Sequence, residues 1–360
     1  MIFNLYKKLV LNEEKGFVNA LLLFLLWILS LMFSAVVGLK NFLYDANILK
    51  GVKLNSKVIS VGNITVGGTG KTQFVRYLAK YLQERGKSTS VICRSYSGSE
   101  SEAWVSDGNR VFLNVMQSGD EAFMLAHFLP GIPVGVSKKR ISLAKTIKNN
   151  DAIILDDGFQ YRKFRRDLDI VLIDASSGIK ERFLLPRGVL REGFKSLKRA
   201  DVIIIMRENH MEEEAKKNVV KLIRSYNSQS EILLAREKII SFSTLNRKKS
   251  FVPDEFNIRE GSVFTALGNP GAFVKNLERY GIVIKDAIVF QDHYFFKKED
   301  LRSLKPQMQY FITHKDAVKL ERIIEPEASS KFWVVDVSLI LFDETRRETI
   351  CPKKIEQLFI

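Results

Sequence analysis

The sequence contains little cysteine, and the cysteines it has are not spaced as metal ligands. Cys93 and Cys351 are the only two among 360 residues, and neither belongs to a Cys-x-x-Cys pair or to a histidine-cysteine cluster. Zinc sites and disulfide frameworks depend on such spacings, so neither is expected here. Two isolated thiols are typical of a protein in a reducing compartment. We expect both side chains to be buried or chemically inert.

Several sequence signatures of nucleotide and nucleic-acid binding are also missing. There is no Leu-Ser-Gly-Gly-Gln-like segment of the kind that transport ATPases carry, and "THKD" at 313–316 places Lys315 directly before Asp316. That spacing breaks the Asn/Thr-Lys-x-Asp motif with which GTPases read guanine. Neither a helix-turn-helix pattern nor an aromatic and basic RNA motif is present. These absences argue against transport ATPases, GTPases and nucleic-acid-binding modules.

Charge is absent from one long segment near the N-terminus. No Asp, Glu, Lys or Arg occurs from Phe17 to Leu39, and a helix of that length, rising about 1.5 Å per residue, would cover the ~30 Å hydrocarbon core of a bilayer. Residues 1–40 are therefore predicted to form an uncleaved membrane-associated helix. A cleaved signal peptide is one alternative, but "VVGLKNFLYD" offers no good small-x-small cleavage site. A helix lying in the membrane interface is another, and an apolar surface on nearly all sides disfavours it.

Basic residues outnumber acidic ones in the chain. The formal net charge is +15 and the isoelectric point is about 9.6. This balance favours an anionic partner, which could be nucleic acid, an acidic membrane surface or a phosphorylated substrate. Lysines lie on both sides of the uncharged segment, so the charge pattern does not orient that segment in a membrane.

Beyond the uncharged segment, short apolar runs alternate with helical patterns. The runs are rich in Val and Ile and show no two-residue alternation, which is typical of buried parallel strands. We predict such strands at 57–63, 88–94, 132–137, 151–157, 169–175 and 200–206. A helix is predicted over 71–85, where Gly86 ends the apolar periodicity. Alternating strands and helices indicate a doubly wound, mostly parallel α/β sheet.

A glycine-rich loop, "VGGTGKT", leads from the first of these strands into the first helix. Loop N–H groups and a helix N-terminus converge there on an anion. Lys71 would reach the β- and γ-phosphates of a nucleotide, and the Thr72 hydroxyl would bind Mg²⁺. The rest of the cradle is Gly67, Gly68, Thr69 and Gly70. Thr65 occupies the position where the strict P-loop pattern has glycine. An ordinary glycine-rich turn is the alternative, but it explains less well why the loop lies between a strand and an amphipathic helix.

A P-loop also needs a carboxylate for its metal at the end of a neighbouring strand. The segment "AIILDDGFQ" provides Asp156 and Asp157 directly after four apolar residues. Asp174 ends another predicted strand in a similar way and is a secondary candidate. Taken alone, an acidic pair after a strand is more often a turn or a helix cap. Beside the glycine-rich loop, the pair predicts a Mg²⁺ site.

Near residues 225–250 the pattern becomes polar, Ser-rich and basic, which predicts a domain boundary. We expect a P-loop kinase domain at 41–235 and a smaller C-terminal α/β domain at 236–360. In the second domain, strands are predicted in "SVFTALGNP", "YGIVIKDAIVF", "QYFIT" and "FWVVDVSLIL", and helices in "FVKNLERYG" and "KKEDLRSL". No internal repeat or low-complexity tract is present.

Several motifs together resemble one family, the tetraacyldisaccharide 4'-kinases, which are the lipid A 4'-kinases of Gram-negative bacteria. The resemblance comprises the apolar N-terminus, "VGNITVGGTGKT", "CRSYSG", "SGDEAFMLA", "LDDGFQ", "LLPRGVLRE", "ALGNPGAF", "DHYFF" and "THKDAVKL". These motifs occur in the family's order and cover nearly the whole chain. The family's loop departs from the strict P-loop pattern at the position of Thr65 as well.

The resemblance implies transfer of the γ-phosphoryl group of ATP to the 4'-hydroxyl of an acylated glucosamine disaccharide 1-phosphate, with ATP and Mg²⁺ as cofactors. A lipid with four acyl chains implies work at the bacterial inner membrane, with the catalytic domains facing the cytoplasm. Basic clusters at 162–166 and 137–140 would suit anionic lipid head groups. Neither nucleic acid nor an obligate protein partner is expected. A membrane-anchored P-loop ATPase that drives a partner protein is the alternative.

By resemblance, Asp120 of "SGDEAF" is the general base and His293 of "QDHYFF" supports it, because an imidazole can orient a carboxylate and share its proton. Lys71 and Arg191 would complete the catalytic set. From the residues alone, Asp120 would more simply be a helix N-cap and His293 a packed histidine.

Further residues match motifs that the family places near its substrates. These are Arg94, Tyr96, Glu121, Arg140 and Glu192. The chain departs from the family at two positions: Tyr161 stands where histidine is usual, and His314 where glutamate is usual. Neither departure changes a residue of the predicted catalytic set.

Overall fold

The computed structural model describes residues 16–95, 102–174, 183–302, 304–325 and 327–360. In chain order, the elements are α1 (Phe17–Asp45), β1 (Lys57–Asn63), α2 (Lys71–Glu84), β2 (Thr89–Arg94), β3 (Glu102–Ser106), α3 (Val115–Ser118), α4 (Asp120–Phe128), β4 (Val134–Ser137), α5 (Arg140–Lys145), β5 (Ala152–Asp156), β6 (Leu168–Asp174), β7 (Val202–Met206), α6 (Glu213–Tyr226), β8 (Glu231–Thr244), β9 (Ser250–Phe251), β10 (Glu260–Thr265), α7 (Pro270–Tyr280), β11 (Val283–Val289), β12 (Tyr310–Thr313), α8 (His314–Leu320), β13 (Phe332–Asp343), β14 (Glu348–Thr349) and α9 (Lys353–Gln357).

These strands form one 14-stranded sheet. Its order is β11-β10-β12-β13-β8-β7-β6-β1-β5-β2-β4-β3, with β14 beside β13 and β9 beside β8. β1 pairs in parallel with β5 and β6, and β10, β11, β12 and β13 form a second parallel group. The two groups meet where β8 and β13 pair antiparallel. The predicted mostly parallel α/β sheet is confirmed.

All six strands predicted between residues 57 and 206 are present, and their ends agree with the prediction to within two residues. Successive residues of β6 pack on opposite faces of the sheet. Ile170 and Leu172 belong to the apolar cluster under α2, whereas Val171 and Ile173 belong to the cluster under α6. Because helices cover both faces, the strand is apolar at every such position and shows no alternation.

Helix α2 begins at Lys71, directly after Gly70, whose φ of 85° is left-handed. Its buried face contains Phe74, Val75, Leu78, Ala79, Tyr81 and Leu82. The helix ends at Glu84, and Gly86 turns the chain with a φ of 70°. The helix predicted over 71–85 is confirmed, and its apolar face anchors the start of the helix against the sheet.

The polar stretch near 225–250 contains a long strand. β8 has β7 and β13 as its neighbours, so it continues the sheet from one half of the chain into the other. Its first part, Ile232 to Ala235, is fully buried, and the remainder alternates between buried and more exposed residues. That alternation explains why the sequence looks polar there. The predicted boundary between 235 and 236 falls inside this strand, and the division into two domains stays a prediction.

The second half contains the strands predicted there as β10, β11, β12 and β13, and α7 lies over "FVKNLERYG". The helix predicted over "KKEDLRSL" is wrong, because the segment forms only a 3-10 turn at Lys298–Leu301. Asp300 Oδ2 accepts a hydrogen bond from the Lys297 N–H at 2.7 Å. Asp300 is at the N3 position, so this bond satisfies the N-cap N–H at the start of the turn.

Helix α1 extends beyond the uncharged segment. The span Val18–Asp45 has a mean hydropathy of 2.7 in its most apolar window, of which 6% is buried, and is long and apolar enough to cross a membrane. It is the single helix of that kind in the part of the chain that the structure describes. A membrane-associated N-terminal helix is therefore supported by length and composition.

The C-terminal half of α1 contacts the rest of the chain. Ser30 Oγ donates to the Leu184 carbonyl at 2.9 Å, and Asn41 Nδ2 donates to Glu192 Oε2 at 2.9 Å. Large apolar side chains are exposed along the whole helix, from Leu21 and Phe24 to Val36 and Phe42. The helix is therefore held to the rest of the chain by polar contacts, and most of its apolar surface stays uncovered.

Candidate active site

The loop between β1 and α2 has the backbone conformation of a phosphate cradle. Gly67 and Gly70 have φ values of 108° and 85°, which glycine adopts without steric cost. Asn63, at the end of β1, donates from Nδ2 to Thr69 Oγ1 at 3.0 Å and supports the loop from inside. Among the described residues no side chain caps the N-terminus of α2. Its first N–H groups therefore remain available to an anion.

A cavity of about 330 Å³ opens in front of this loop. One wall is the loop itself, from Gly67 to Thr72, and the other comes from the second half of the chain. The apolar part of that second wall is Leu267, Phe273, Val335 and Val337. Its polar part includes Asn269, Asp292, His293 and Lys315. The cavity therefore lies between two halves that are distant in sequence.

Thr72 and Asp156 come together at the start of α2. The Thr72 hydroxyl donates to Asp156 Oδ2 at 3.4 Å, and Asp156 Oδ1 is buried with no hydrogen-bond partner in the described ranges. Burial raises the pKa of Asp156 to about 7, and Glu121 adds to the rise. A buried carboxylate oxygen without a donor, beside a hydroxyl, suits a hard divalent cation such as Mg²⁺.

The protein supplies only part of such a cation's coordination. Within the described ranges, no group of three or more His, Cys, Asp or Glu side chains is placed to hold a metal. Mg²⁺ usually takes one or two carboxylates together with phosphate oxygens and water, which agrees with Thr72 and Asp156. The assignment of these two residues as metal ligands stays a prediction.

Asp157 lies among cationic side chains. Its Oδ1 is 2.6 Å from Arg191 Nη1 and 3.8 Å from Lys71 Nζ, and its Oδ2 is 3.8 Å from Arg94 Nη1. Burial disfavours the charged form, but Lys71 and Arg191 outweigh it and hold the pKa of Asp157 below its usual range. The structure thus brings the predicted Lys71, Arg191 and Arg94 to one carboxylate. The role of Asp157 as a metal ligand stays a prediction.

Asp120 and His293 meet although 173 positions separate them. His293 Nδ1 lies 3.0 Å from Asp120 Oδ1 and 3.2 Å from Oδ2. An ionised carboxylate can only accept, so Nδ1 carries the proton and donates. This hydrogen bond raises the pKa of His293. Burial disfavours the charged form of Asp120, but Lys315 and His293 hold its pKa well below the usual range.

The simpler alternative for Asp120 is wrong. Gly119 occupies the N-cap position of α4, and Asp120 is the first helical residue, with its side chain turned to His293. The backbone of His293 has a φ of 62°, a left-handed conformation that is uncommon for a residue with a side chain. Both residues are therefore held in positions that an ordinary cap or packed histidine does not require.

Two lysines of α8, which were not predicted as site residues, flank the same carboxylate. Lys315 Nζ lies 3.2 Å from Asp292 Oδ1 and 3.4 Å from Glu121 Oε1. Both Lys315 and the fully buried Lys319 place Nζ 3.7 Å from Asp120 Oδ2. The segment "THKDAVKL" could have predicted this pair, because a four-residue spacing places both lysines on the same face of a helix. Together they stabilise the charged form of Asp120.

Three predicted substrate residues differ in what the structure shows of them. Glu121, the neighbour of Asp120 in the chain, lines the cavity. Arg94 is exposed at the end of β2, where it pairs with Asp157. Tyr96 lies outside the described residues. The substrate roles of all three stay predictions.

The other two predicted substrate residues are buried. Arg140 is 2% exposed and donates from Nη1 to the backbone carbonyl of Asp157 at 3.1 Å. Glu192 is 3% exposed and accepts hydrogen bonds from Asn41 and Arg199. Arg140 therefore supports Asp157 from behind, and Glu192 holds α1. Their substrate roles stay predictions.

The two departures from the resembling family are accommodated by local packing. The ring of Tyr161 lies 5.1 Å from the guanidinium of Arg140. His314 places Nε2 3.3 Å from Asp336 Oδ1 and packs its ring against Phe128. Burial lowers the pKa of His314. Both replacements therefore occupy positions beside the site, and neither displaces Lys71 or Asp120.

A glycine-rich loop between strand and helix, a buried carboxylate on the adjacent β5 and an aspartate-histidine pair beside one cavity define a P-loop enzyme that can position a nucleotide phosphate. Family comparison gives the particular protein family. Residues 22–356 match the family model described as Tetraacyldisaccharide-1-P 4'-kinase (LpxK), and the chain belongs to this family. The resemblance found in the sequence motifs is confirmed.

Individual relatives agree with the family. The chain is 35% identical over 350 residues to the tetraacyldisaccharide 4'-kinase of Halothermothrix orenii, covering 89% of this chain and 91% of that protein. It is 35% identical over 334 residues to that of Geobacter metallireducens, with 89% and 96% covered. The crystal structure of the "apo" form of LpxK from Aquifex aeolicus in complex with ATP matches with a TM-score of 0.72 and 29% identity, covering 92% of this chain and 98% of that one.

Proposed function

We propose that this protein is an ATP-dependent kinase that transfers the γ-phosphoryl group to the 4'-hydroxyl of tetraacyldisaccharide 1-phosphate and forms lipid IVA in lipid A biosynthesis. One observation carries the proposal: His293, which pairs with Asp120, lines the same cavity as Lys71. A phosphate loop alone would serve many nucleotide-binding proteins. A carboxylate base beside that loop supports transfer to an alcohol.

The transfer requires the 4'-oxygen to bond to the γ-phosphorus while the bond from phosphorus to the leaving ADP oxygen breaks. Asp120 accepts the proton of the attacking hydroxyl, and the Nδ1–H of His293 holds its carboxylate in place. Lys71 and Arg191 lie beside the phosphate loop and neutralise charge on the transferred group. Proximity and charge neutralisation then provide most of the rate enhancement.

The nucleotide is held by the two walls of the cavity. The N–H groups at the start of α2, beginning with Lys71, would face the phosphates, and the apolar part of the opposite wall suits the adenine base. Thr72 and Asp156, with Asp157 adjacent, would hold Mg²⁺, which would neutralise phosphate charge. These protein groups orient the γ-phosphorus toward Asp120.

The membrane placement follows from the substrate and from α1. A disaccharide with four acyl chains stays in the bilayer, and the uncovered apolar surface of α1 supports binding to the same bilayer. ATP and Mg²⁺ place the catalytic part in the cytoplasm. We therefore infer a location at the cytoplasmic face of a bacterial inner membrane. Neither nucleic acid nor an obligate protein partner is part of the proposal.

The decisive experiment incubates the full-length protein with γ-labelled ATP, Mg²⁺ and tetraacyldisaccharide 1-phosphate in detergent micelles and separates the lipids. Label should appear on the disaccharide and disappear with Lys71→Ala. ATP hydrolysis without labelled lipid would instead support a membrane-anchored P-loop ATPase that drives a partner protein. Folding of the variant is checked by its melting temperature.

A second variant tests the base. Asp120→Asn keeps the shape of the side chain but cannot take a proton, so kcat should fall by about 10²- to 10⁴-fold while the Kd for ATP stays within about twofold. Asp286→Asn, an exposed carboxylate on β11, is the matched control and should keep the wild-type rate. A fully active Asp120→Asn protein would contradict the assignment.

A further inference from the structure

Arg207 follows β7 at the edge of the phosphate loop and has no role in the proposed transfer so far. It is 8% exposed, and its backbone is left-handed, with φ 55° and ψ 40°. A left-handed backbone is unfavourable for a residue with a side chain and persists only where its surroundings impose it. The contacts of the Arg207 side chain show what imposes it.

The guanidinium of Arg207 joins three elements. Its Nη1 donates to the carbonyl of Gly68 in the phosphate loop at 3.1 Å and to Asp174 Oδ2, at the end of β6, at 2.6 Å. Its Nε donates to Glu237 Oε1 on β8 at 3.1 Å. A Cβ built on Gly70 would lie 3.9 Å from Arg207 Nη2, so the guanidinium also lies close to the part of the loop before Lys71.

The two carboxylates that hold Arg207 also hold α7 of the second half. Asn269, the N-cap of α7, donates from Nδ2 to Asp174 Oδ2 at 3.0 Å. Asn276, two turns further along α7, donates to Glu237. Each carboxylate therefore bridges Arg207 to the opposite wall of the cavity.

Arg207 is suited to this position because a guanidinium presents several donors in one plane. Lysine has a single ammonium on a flexible stem and cannot reach Gly68, Asp174 and Glu237 with the same fixed geometry. The cavity lining includes Arg207, Glu237, Asn269 and Asn276, so the network forms part of the wall itself.

We propose that Arg207 is a positioning residue of the nucleotide site: it holds the Gly68 carbonyl and links the phosphate loop through Asp174 and Glu237 to β8 and α7. The loop and the opposite wall then present one preformed site to ATP. The inference rests on nucleotide binding in the proposed function and does not depend on the lipid acceptor.

The test compares Arg207→Gln and Arg207→Lys with a matched control, Arg236→Gln. Like Arg207, Arg236 pairs with a buried carboxylate, in its case Glu208. Unlike Arg207, its side chain is 46% exposed and lies outside the cavity lining. Kd for ATP is measured by calorimetry on the full-length proteins. The KM for ATP, the KM for the lipid acceptor, kcat and the melting temperature are measured alongside.

Loss of hydrogen bonds to a charged group should raise the Kd and KM for ATP with Arg207→Gln by about tenfold or more, equivalent to about 1.4 kcal/mol. Arg207→Lys should recover part of that loss. The acceptor KM of Arg207→Gln should stay within about twofold, because the contacts of Arg207 are all on the nucleotide side of the proposed site. Arg236→Gln should leave the KM values of both substrates within about twofold, because Arg236 lies outside the cavity lining.

An unchanged Kd for ATP in Arg207→Gln overturns the proposal, and so does an equal change of both KM values. If Arg207→Gln does not fold, Arg207→Lys is used in its place. A severalfold higher Kd for ATP in Arg207→Lys then supports the proposal, and an unchanged Kd overturns it. Because calorimetry needs no lipid, a failed lipid kinase assay leaves this test intact and counts only against the proposed reaction.

Discussion

Three residues in or next to the cavity have a left-handed backbone. Asp157, Arg207 and His293 have φ values of 53°, 55° and 62°. Each conformation costs about 1–3 kcal/mol, and each of these residues has an ion pair or hydrogen bond across the site that compensates for it. Left-handed backbone also occurs away from the cavity, for example at Asn47 and Asn149, so the pairing across the site is what distinguishes these three positions.

The pairing of Asp120 with His293 predicts a pH-dependent stability. Because the hydrogen bond raises the pKa of His293, its contribution is fully present below the unfolded value of about 6.5 and is lost as the pH rises through the higher folded value. His293→Gln should therefore lower the free energy of unfolding more at pH 6 than at pH 9. Urea unfolding at the two pH values measures the difference.

Asp120→Asn provides the control for this titration. Once the carboxylate is gone, the pKa of His293 is no longer raised by it, so adding His293→Gln should cost the same at pH 6 and pH 9. An equal cost of His293→Gln at both pH values in the otherwise wild-type protein would show that the pair does not perturb the histidine.

At the scale of elements, the phosphate loop and the loop before α7 meet backbone to backbone. A Cβ built on Gly268 would lie 2.8 Å from Asp292 Oδ2 and 2.9 Å from the Gly68 N. Real Cβ atoms do not approach so closely, so the two loops would have to separate. Glycine at 268 therefore permits the closed contact between the two walls of the cavity.

Gly268→Ala should weaken ATP binding for this reason, since overpacking costs about 1–3 kcal/mol and here would fall on the closed loop contact. Gly271→Ala is the matched control, because the nearest atom to its built Cβ is 4.0 Å away. Calorimetric Kd values for ATP test the pair. Similar Kd values for both variants would refute the role of the contact.

A second link between elements connects α2 to α8. Arg76 of α2 makes two hydrogen bonds to Asp336 of β13, at 2.8 and 3.1 Å, and His314 of α8 approaches the same carboxylate. The helix that begins with Lys71 is thereby tied to the helix that carries Lys315. His314 is compatible with this arrangement because an imidazole can donate to Asp336.

The family's usual glutamate at this position should be unfavourable in this chain. His314→Glu would place a second carboxylate against the partly buried Asp336, and we expect a loss of roughly 1–3 kcal/mol in the free energy of unfolding at pH 8. His314→Gln, which adds no charge, should cost less. Chemical denaturation of both variants tests this, and equal stability would contradict the charge argument.

At the scale of the whole molecule, α1 combines polar anchors with an uncovered apolar surface. The anchors are Ser30, Asn41 and Asp45, which bond to the catalytic part through Leu184, Glu192 and Arg162. Among the described residues before Ser30 no such anchor is present, whereas exposed apolar side chains occur along the whole helix. Support of the catalytic part is therefore expected from residues 30–45, and membrane binding from the full length of the helix.

Truncation tests this assignment. Removal of residues 1–29 should weaken binding to phospholipid vesicles while the Kd for ATP stays within about twofold, because no residue of this segment lines the cavity. Removal of residues 1–45 should also lower the melting temperature, by about 2–4 °C per kcal/mol lost. Loss of ATP binding already on removal of residues 1–29 would assign α1 a folding role instead.

Much of the fold could be predicted because its signals are local. Uniform Val and Ile runs indicated β1, β5 and β7, and the glycines around Lys71 indicated the phosphate loop. β8 could not be predicted from local sequence, because much of it is polar. Its antiparallel partner, β13, lies about a hundred positions away in the chain. The helix predicted at 297–304 was wrong, because so short a pattern is also compatible with the single 3-10 turn that forms there.

The sequence by itself determined the apolar N-terminal helix, the parallel strands, the loop that binds phosphate and, through its ordered motifs, the family. Only the tertiary structure decided that Lys315 and Lys319 flank Asp120, and that Arg207 joins Gly68 to Asp174 and Glu237. The physical reason is the distance along the chain over which each kind of interaction acts. Periodicity and backbone preference act over a few residues, whereas the choice of which charge faces which depends on the strand order that brings the ends of β6, β7 and β8 together.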